Sequence, residues 1–167
     1  MTKLDDIADA LDVVNCAQLF NEIEQGEAYL CPAKGGAYKH KPCRFFGLYR
    51  NKSVESVAEI EAVVDVSKQA KTGGQVRAEV LWSNSSQSDQ QLQKTATERA
   101  LRFRPHKLPI RVFILANRTP TNFVKDSKGG MFGSKRYFDT SPLKAKDAGD
   151  LAAKLEGKQW SDLDPYR

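Results

Sequence analysis

Three cysteines and two histidines are the chain's whole stock of thiols and imidazoles. Cys31, His40 and Cys43, with His106 or Cys16 as a fourth ligand, offer the nitrogen and sulfur donors that zinc takes. The spacing Cys-x8-His-x2-Cys lacks the close ligand pairs of zinc ribbons and knuckles, so the thiols read as small buried hydrophobes and no metal or other cofactor is expected. Carboxylates offer a second chemistry. Asp65 and Glu79, with Glu59 nearby, fall on neighbouring predicted strands, where a metal-dependent nuclease would place acids to hold a divalent ion and activate water. The position two after Glu79 is Leu81, and no acid-x-Lys follows on a strand. No Ser or Cys stands in a Gly-x-Ser-x-Gly elbow. Gly129-Gly130-Met131-Phe132-Gly133 lacks the Gly-Lys-Ser/Thr ending of a phosphate loop and reads as a flexible glycine-rich tip.

The cations point elsewhere. The net charge of +5 is unevenly spread: residues 1–30 carry seven acids against Lys3, which leaves +11 on residues 31–167. Three clusters hold most of it. Lys34, Lys39, Lys41, Arg44, Arg50 and Lys52 lie in a run without an acid; Lys94, Arg99, Arg102, Arg104, Lys107 and Arg111 face Glu98 alone; Arg118, Lys125, Lys128, Lys135 and Arg136 face Asp126. Aromatic residues, among them Tyr49 and Trp82, are interleaved with these cations, and that is the composition of a surface that contacts phosphate and stacks bases. The candidate nucleic-acid-binding residues are therefore Lys39, Lys41, Arg44, Tyr49, Arg50, Lys52, Trp82, Arg102, Arg104, Lys107, Arg118, Lys128, Lys135 and Arg136.

The elements that must position these groups follow from hydrophobic period. Leu4, Ile7, Ala8, Leu11 and Val14 recur at spacings of three and four opposite Asp5, Asp6, Asp9 and Asp12, which predicts an amphipathic helix over Leu4–Val14. A second helix is expected over Ala17–Gln25, stopped at Gly26, so residues 1–26 read as an acidic helical hairpin. Strands are expected at Tyr29–Cys31, Arg44–Tyr49, Val57–Val66 with one irregular step, and Val76–Trp82. Ser88 is the expected cap of a helix that ends at Arg104, before Pro105. Pro109–Ala116 reads as a central buried strand, Asn117–Arg136 as a long excursion, Tyr137–Asp139 as a returning strand and Leu143–Leu155 as weakly helical, with Trp160 packing the tail. The expectation is one α+β domain over 1–167: an acidic helical extension, 1–26, on a basic β-rich body, 27–167, built as a small curved mixed sheet or barrel with flanking helices.

Phe45-Phe46-Gly47-Leu48-Tyr49-Arg50, followed by Val57-Ala58-Glu59-Ile60-Glu61-Ala62-Val63-Val64, resembles the hairpin of the PUA-like superfamily, in particular its EVE and ASCH-like branches. The likeness spans about 22 of the 167 residues. The Tyr-Trp start of EVE domains is absent, Ser56 replaces the usual Gly before the return strand, and the ASCH signature Gly-x-Lys-x-x-Glu-x-Arg is missing. The resemblance implies a β-barrel that binds DNA or RNA, with a modified base drawn into an aromatic-lined pocket where Tyr49 and Trp82 would stack.

Three readings follow. The first is a nucleic-acid-binding module without catalysis. The second is a metal-dependent nuclease or other nucleic-acid-processing enzyme using Asp65 or Glu79. The third is a protein-interaction module of a phage or defence system, contacting its partner through the N-terminal helices. The odd cysteine count and the lack of a charged-then-apolar start predict a cytoplasmic chain, and no apolar run approaches the about 20 residues that span a bilayer, so no membrane partner is expected.

Overall fold

The computed structural model describes residues 6–34, 39–69, 74–131, 135–163 and 165–166. Seven strands and three helices follow in the order β1 (Ala8–Asn15), α1 (Phe20–Gly26), β2 (Ala28–Pro32), β3 (Cys43–Arg50), β4 (Ser53–Gln69), β5 (Gln75–Ser83), α2 (Asp89–Phe103), β6 (Ile110–Val124), β7 (Lys135–Asp139) and α3 (Ala148–Leu155). The class is mixed α+β, as expected. The strands form one sheet in the order β2-β6-β4-β3-β1-β7, and β5 pairs with β4 beside that path. β1 runs parallel to β3 and antiparallel to β7, and the other pairs are antiparallel.

Two expectations about the architecture are corrected. The sheet is not closed into a barrel, because β2 and β7 end it on opposite sides without pairing. The N-terminal helical hairpin does not form either: α1 is present, but Ala8–Asn15 is a strand. The three-and-four spacing of Leu11 and Val14 fits a strand equally well when both faces are covered. Leu11 and Val13 pack on one side, Ala10 and Val14 on the other, and all four are at most 2% exposed. Pairing on both edges then outweighs weak local helix preference.

β4 is 17 residues long and serves both halves of the sheet. Its pairing with β6 shifts register at three places, between Val54 and Ser56, Val57 and Glu59, and Ile60 and Ala62. Such irregularities bend and twist strands, and they curl this sheet. One face gathers a core around Phe46, Ile60, Val63 and Phe113 with Phe20 and Ile23 of α1. The other face is divided: Leu92, Ala96 and Ala100 of α2 cover Val64, Val66 and Val112, while Leu151, Ala152 and Leu155 of α3 cover Leu11, Phe45 and Phe123.

Local signals account for the helix ends. Ser88 accepts the backbone N–H of Gln91 and starts α2, which is capped at Arg104 as predicted. Gly26 does not stop α1 by a left-handed turn; Glu27 takes that conformation at φ 47°. Gly26 is required for another reason, since a Cβ there would lie 2.7 Å from the Phe103 ring of α2. The excursion expected over Asn117–Arg136 is largely strand: β6 continues to Val124, past a left-handed Asn117. Val57–Val66 is, as expected, strand with irregular register, Ile110–Ala116 is the expected central strand, and Trp160 packs the tail into the core beside α3. Parts of three predicted features, Leu4 and Asp5 of the first helix, the glycines 35, 36 and 73, and Phe132-Gly133 of the glycine-rich tip, lie outside the described residues.

Candidate functional site

Curling brings together groups far apart along the sheet. In a flat sheet β2 and β1 would stand four strand spacings apart, about 19 Å. Yet the His40 ring touches Tyr29 of β2 and Phe113 of β6, with centroids 6.2 and 4.8 Å away, while its Nδ1 lies 2.6 Å from Asp12 Oδ2 of β1. Residues 39–42 thus form a strap across the open seam between β2 and β7. Three further contacts hold it. The Lys41 N–H donates to Tyr137 Oη of β7 at 2.9 Å, the Ala8 N–H donates to the Pro42 carbonyl at 2.9 Å, and Lys41 Nζ stands 5.5 and 5.6 Å from the centres of the Tyr137 and Tyr166 rings.

Asp12 is 0% exposed and the His40 side chain 6%. Burial pushes the Asp12 carboxyl above its ordinary range, against the hydrogen bond from His40 and the charges of His40 and Lys135, which pull it down. Among the described residues its second oxygen, Oδ1, has no hydrogen-bond partner. Burial also pushes the Cys16 and Cys31 thiols up to about 12, raises Cys43 further, and raises the Tyr137 hydroxyl, with the Asp12 charge contributing to each. These thiols therefore stay protonated, and thiols in that state are poor metal ligands. His40 is committed to Asp12, His106 is exposed in the turn after α2, and among the described residues no three His, Cys, Asp or Glu side chains form a metal-holding group.

The raised Asp12 value has a testable sign. A group that holds its proton more tightly when folded adds most to stability below its unfolded pKa, here near 3.8, and loses that contribution as pH climbs through the folded value. The stability of the wild-type chain relative to Asp12→Asn, which cannot titrate, is expected to fall as pH rises from 3.8 towards neutrality. Urea titrations of both proteins across that range measure it; a difference that grows with pH would show that the His40 bond outweighs burial.

Sequence reading missed Asp12 and His40 as a pair, because a helical Leu4–Val14 put Asp12 on a solvent face. The available signal was an acid within Ala-Leu-Asp-Val-Val, a run rich enough in β-branched and apolar residues to be a buried strand.

The predicted binding residues divide into committed and exposed groups. Arg44 donates to Asp9 Oδ1 and to the carbonyls of Ala145 and Lys146. Arg50 forks onto Glu55 and stacks 3.9 Å from the Phe20 ring centre. Arg104 pairs with Glu22 at 2.6 Å, and Arg118 with Glu24 and Glu27. Four acids of the N-terminal segment, Asp9, Glu22, Glu24 and Glu27, are thus paired with arginines of the body. Tyr49 and Trp82, at 4% and 5% exposure, are core residues, Tyr49 against Trp160, and present no open stacking face. Lys39, Lys41, Lys52, Arg102, Lys107, Lys128 and Arg136 are exposed. Lys135 is half-buried near Asp12. Lys125 is buried, with Nζ donating to the carbonyls of Ser127, Lys128 and Gly129 and to Ser127 Oγ, so it builds its own turn.

The acids of the nuclease reading are placed as neighbours: Asp65 faces Glu79 across β4 and β5. Arg111 of β6, however, forks onto Asp65 at 2.8 and 3.0 Å. Glu59 accepts Asn117 Nδ2 and the Ala148 N–H, bracing the start of α3. No helix among the described residues is long and apolar enough to cross a membrane. Compared with protein-family models, curated proteins and solved structures, the chain matches none.

Proposed function

We propose that this protein is a nucleic-acid-binding module whose contact surface is the strap across the seam and the strand edge beside it. The observation that carries the reading is the pairing of exposed lysines with half-exposed rings: Lys39 and Lys41 project from the strap, and Lys41 stands over Tyr137 and Tyr166. Ammonium groups beside open aromatic faces offer phosphate a counter-charge and a base a stacking platform. Stacking at the seam takes the place of stacking on Tyr49 and Trp82, which the core already uses. Lys52, Lys128 and Arg136 extend the basic surface elsewhere. The likeness of the Phe45–Arg50 and Val57–Val64 hairpin to the PUA-like superfamily supports the same reading, including its preference for a modified base.

The commitment of Arg44 and Arg50 separates binding from folding. The double variant Lys39→Ala/Lys41→Ala is expected to keep its melting temperature, to weaken binding across sequences, and to lower the slope of log affinity against log salt by about two. Arg44→Ala and Arg50→Ala are expected instead to lower stability, by about 1 kcal/mol each, because their partners are half-buried. Fluorescence anisotropy with single- and double-stranded DNA and RNA, with and without modified bases, at two salt concentrations tests this. No salt-sensitive binding to any of them at low salt would overturn the reading.

A further inference from the structure

The strap carries the two lysines of the proposed surface, but its own backbone belongs to neither edge strand. Among the described residues, what ties it into the interior is one side chain, His40, joined to a carboxylate that has no exposure at all. A buried acid is costly to keep, and one whose second oxygen lacks a partner is costlier still. Packing alone would be better served by an apolar residue at position 12. The pair is placed to fix a position: it joins β1 to the strap, while the His40 ring wedges against Phe113 and Tyr29 on the opposite side of the seam.

We propose that Asp12 and His40 are positioning residues for nucleic-acid binding, a buried pin that holds Lys39 and Lys41 in the orientation that meets phosphate. This rests on the binding function proposed above. The pin acts next to the lysines it orients: His40 lies between them, and the bond from the Lys41 N–H to Tyr137 Oη continues the same anchorage. Restricting the strap before the ligand arrives removes an ordering cost from binding. The titratable and charged groups that face Asp12 are His40 of the strap, Lys135 and Tyr137 of β7, and the three cysteines at 16, 31 and 43, with Lys41 beside Cys43. Burial keeps the thiols and the phenol protonated through the acid range, so there Asp12 is the member of this group that titrates. When Asp12 takes up a proton, its bond to His40 loses the carboxylate charge that holds the strap.

The test compares the full chain with Asp12→Asn, His40→Gln and Lys39→Ala/Lys41→Ala, using a fluorescein-labelled single-stranded oligonucleotide, first as DNA and then as RNA. Amide exchange at Lys41 reports the strap, and affinity is followed from neutral pH into the acid range. The expected result is faster Lys41 exchange in Asp12→Asn and His40→Gln, with affinity about tenfold lower although both lysines remain. Wild-type affinity should fall on acidification, against the usual rise as a protein gains positive charge, and Asp12→Asn should lack that fall. Should Asp12→Asn not fold, His40→Gln decides alone, since it leaves β1 untouched. Faster exchange with unchanged affinity would overturn the positioning role. Unchanged affinity in the double lysine variant as well would show instead that the binding surface itself is misassigned.

Discussion

A chain lacking residues 1–26 is expected to fail to fold, with no cooperative transition in heat or urea. The acidic segment would be dispensable if it were a helical appendage. It contains β1, however, an interior strand paired with β3 over Leu11–Asn15 and with β7 over Ala10–Val14. Its removal exposes a full strand edge on each neighbour and detaches β7 from the rest of the sheet. It also takes Leu11, Val13, Val14, Phe20 and Ile23 out of two cores. At about 1.5–3 kcal/mol per buried side chain, five of them contribute about 10 kcal/mol, comparable to the whole net stability of an ordinary domain. The loss of Asp9, Glu22 and Glu24 further strips Arg44 and Arg104 of their acid partners and leaves Arg118 with Glu27 alone. Circular dichroism and calorimetry of the truncated chain measure the effect; a sharp, native-like transition would show that β1 is an accessory strand.

Trp160→Ala is expected to cost about 3–5 kcal/mol, the range for emptying a buried large aromatic site. Trp160 is 3% exposed and central to an aromatic cluster, with ring centres 5.5 Å from Tyr49, 5.1 Å from Phe138 and 6.3 Å from Phe123. Its Nε1–H donates to the Phe123 carbonyl at 3.2 Å, so truncation removes that buried hydrogen bond as well as leaving a cavity. Because the cluster joins β3, β6 and β7 beneath α3, the loss should appear as a fall in the global transition, seen as a lower urea midpoint. Trp160→Phe should recover part of it by refilling the space without the hydrogen bond. A cost below about 1 kcal/mol would mean that the tail packs loosely.

The elements with a clean local signature were the legible ones. β5 alternates Val76, Ala78, Val80 and Trp82 against Arg77 and Glu79; α2 has a Ser cap and apolar positions at Leu92, Ala96 and Ala100; Ile110–Leu115 has the apolar density of an interior strand. The failures share one cause. β1 is covered on both faces and paired on both edges, and under those conditions the period that separates helix from strand disappears. The candidate site was legible only as a list of cations. Composition supplied Lys39 and Lys41, but nothing in it distinguished them from Arg44, Arg50, Arg104 and Arg118, whose acids lie up to about 100 residues away in sequence.

Composition and short-range pattern by themselves determined a mixed α+β chain, most of its strands, the α2 cap and an excess of positive charge after residue 30, because each depends on neighbours within a few residues. Tertiary structure alone decided which charges are spent and which remain, that Asp12 is interior, and that His40 bridges the seam. The reason is physical: the bends in β4 curl the sheet, and only a curled sheet brings β1, β2 and β6 within reach of one imidazole.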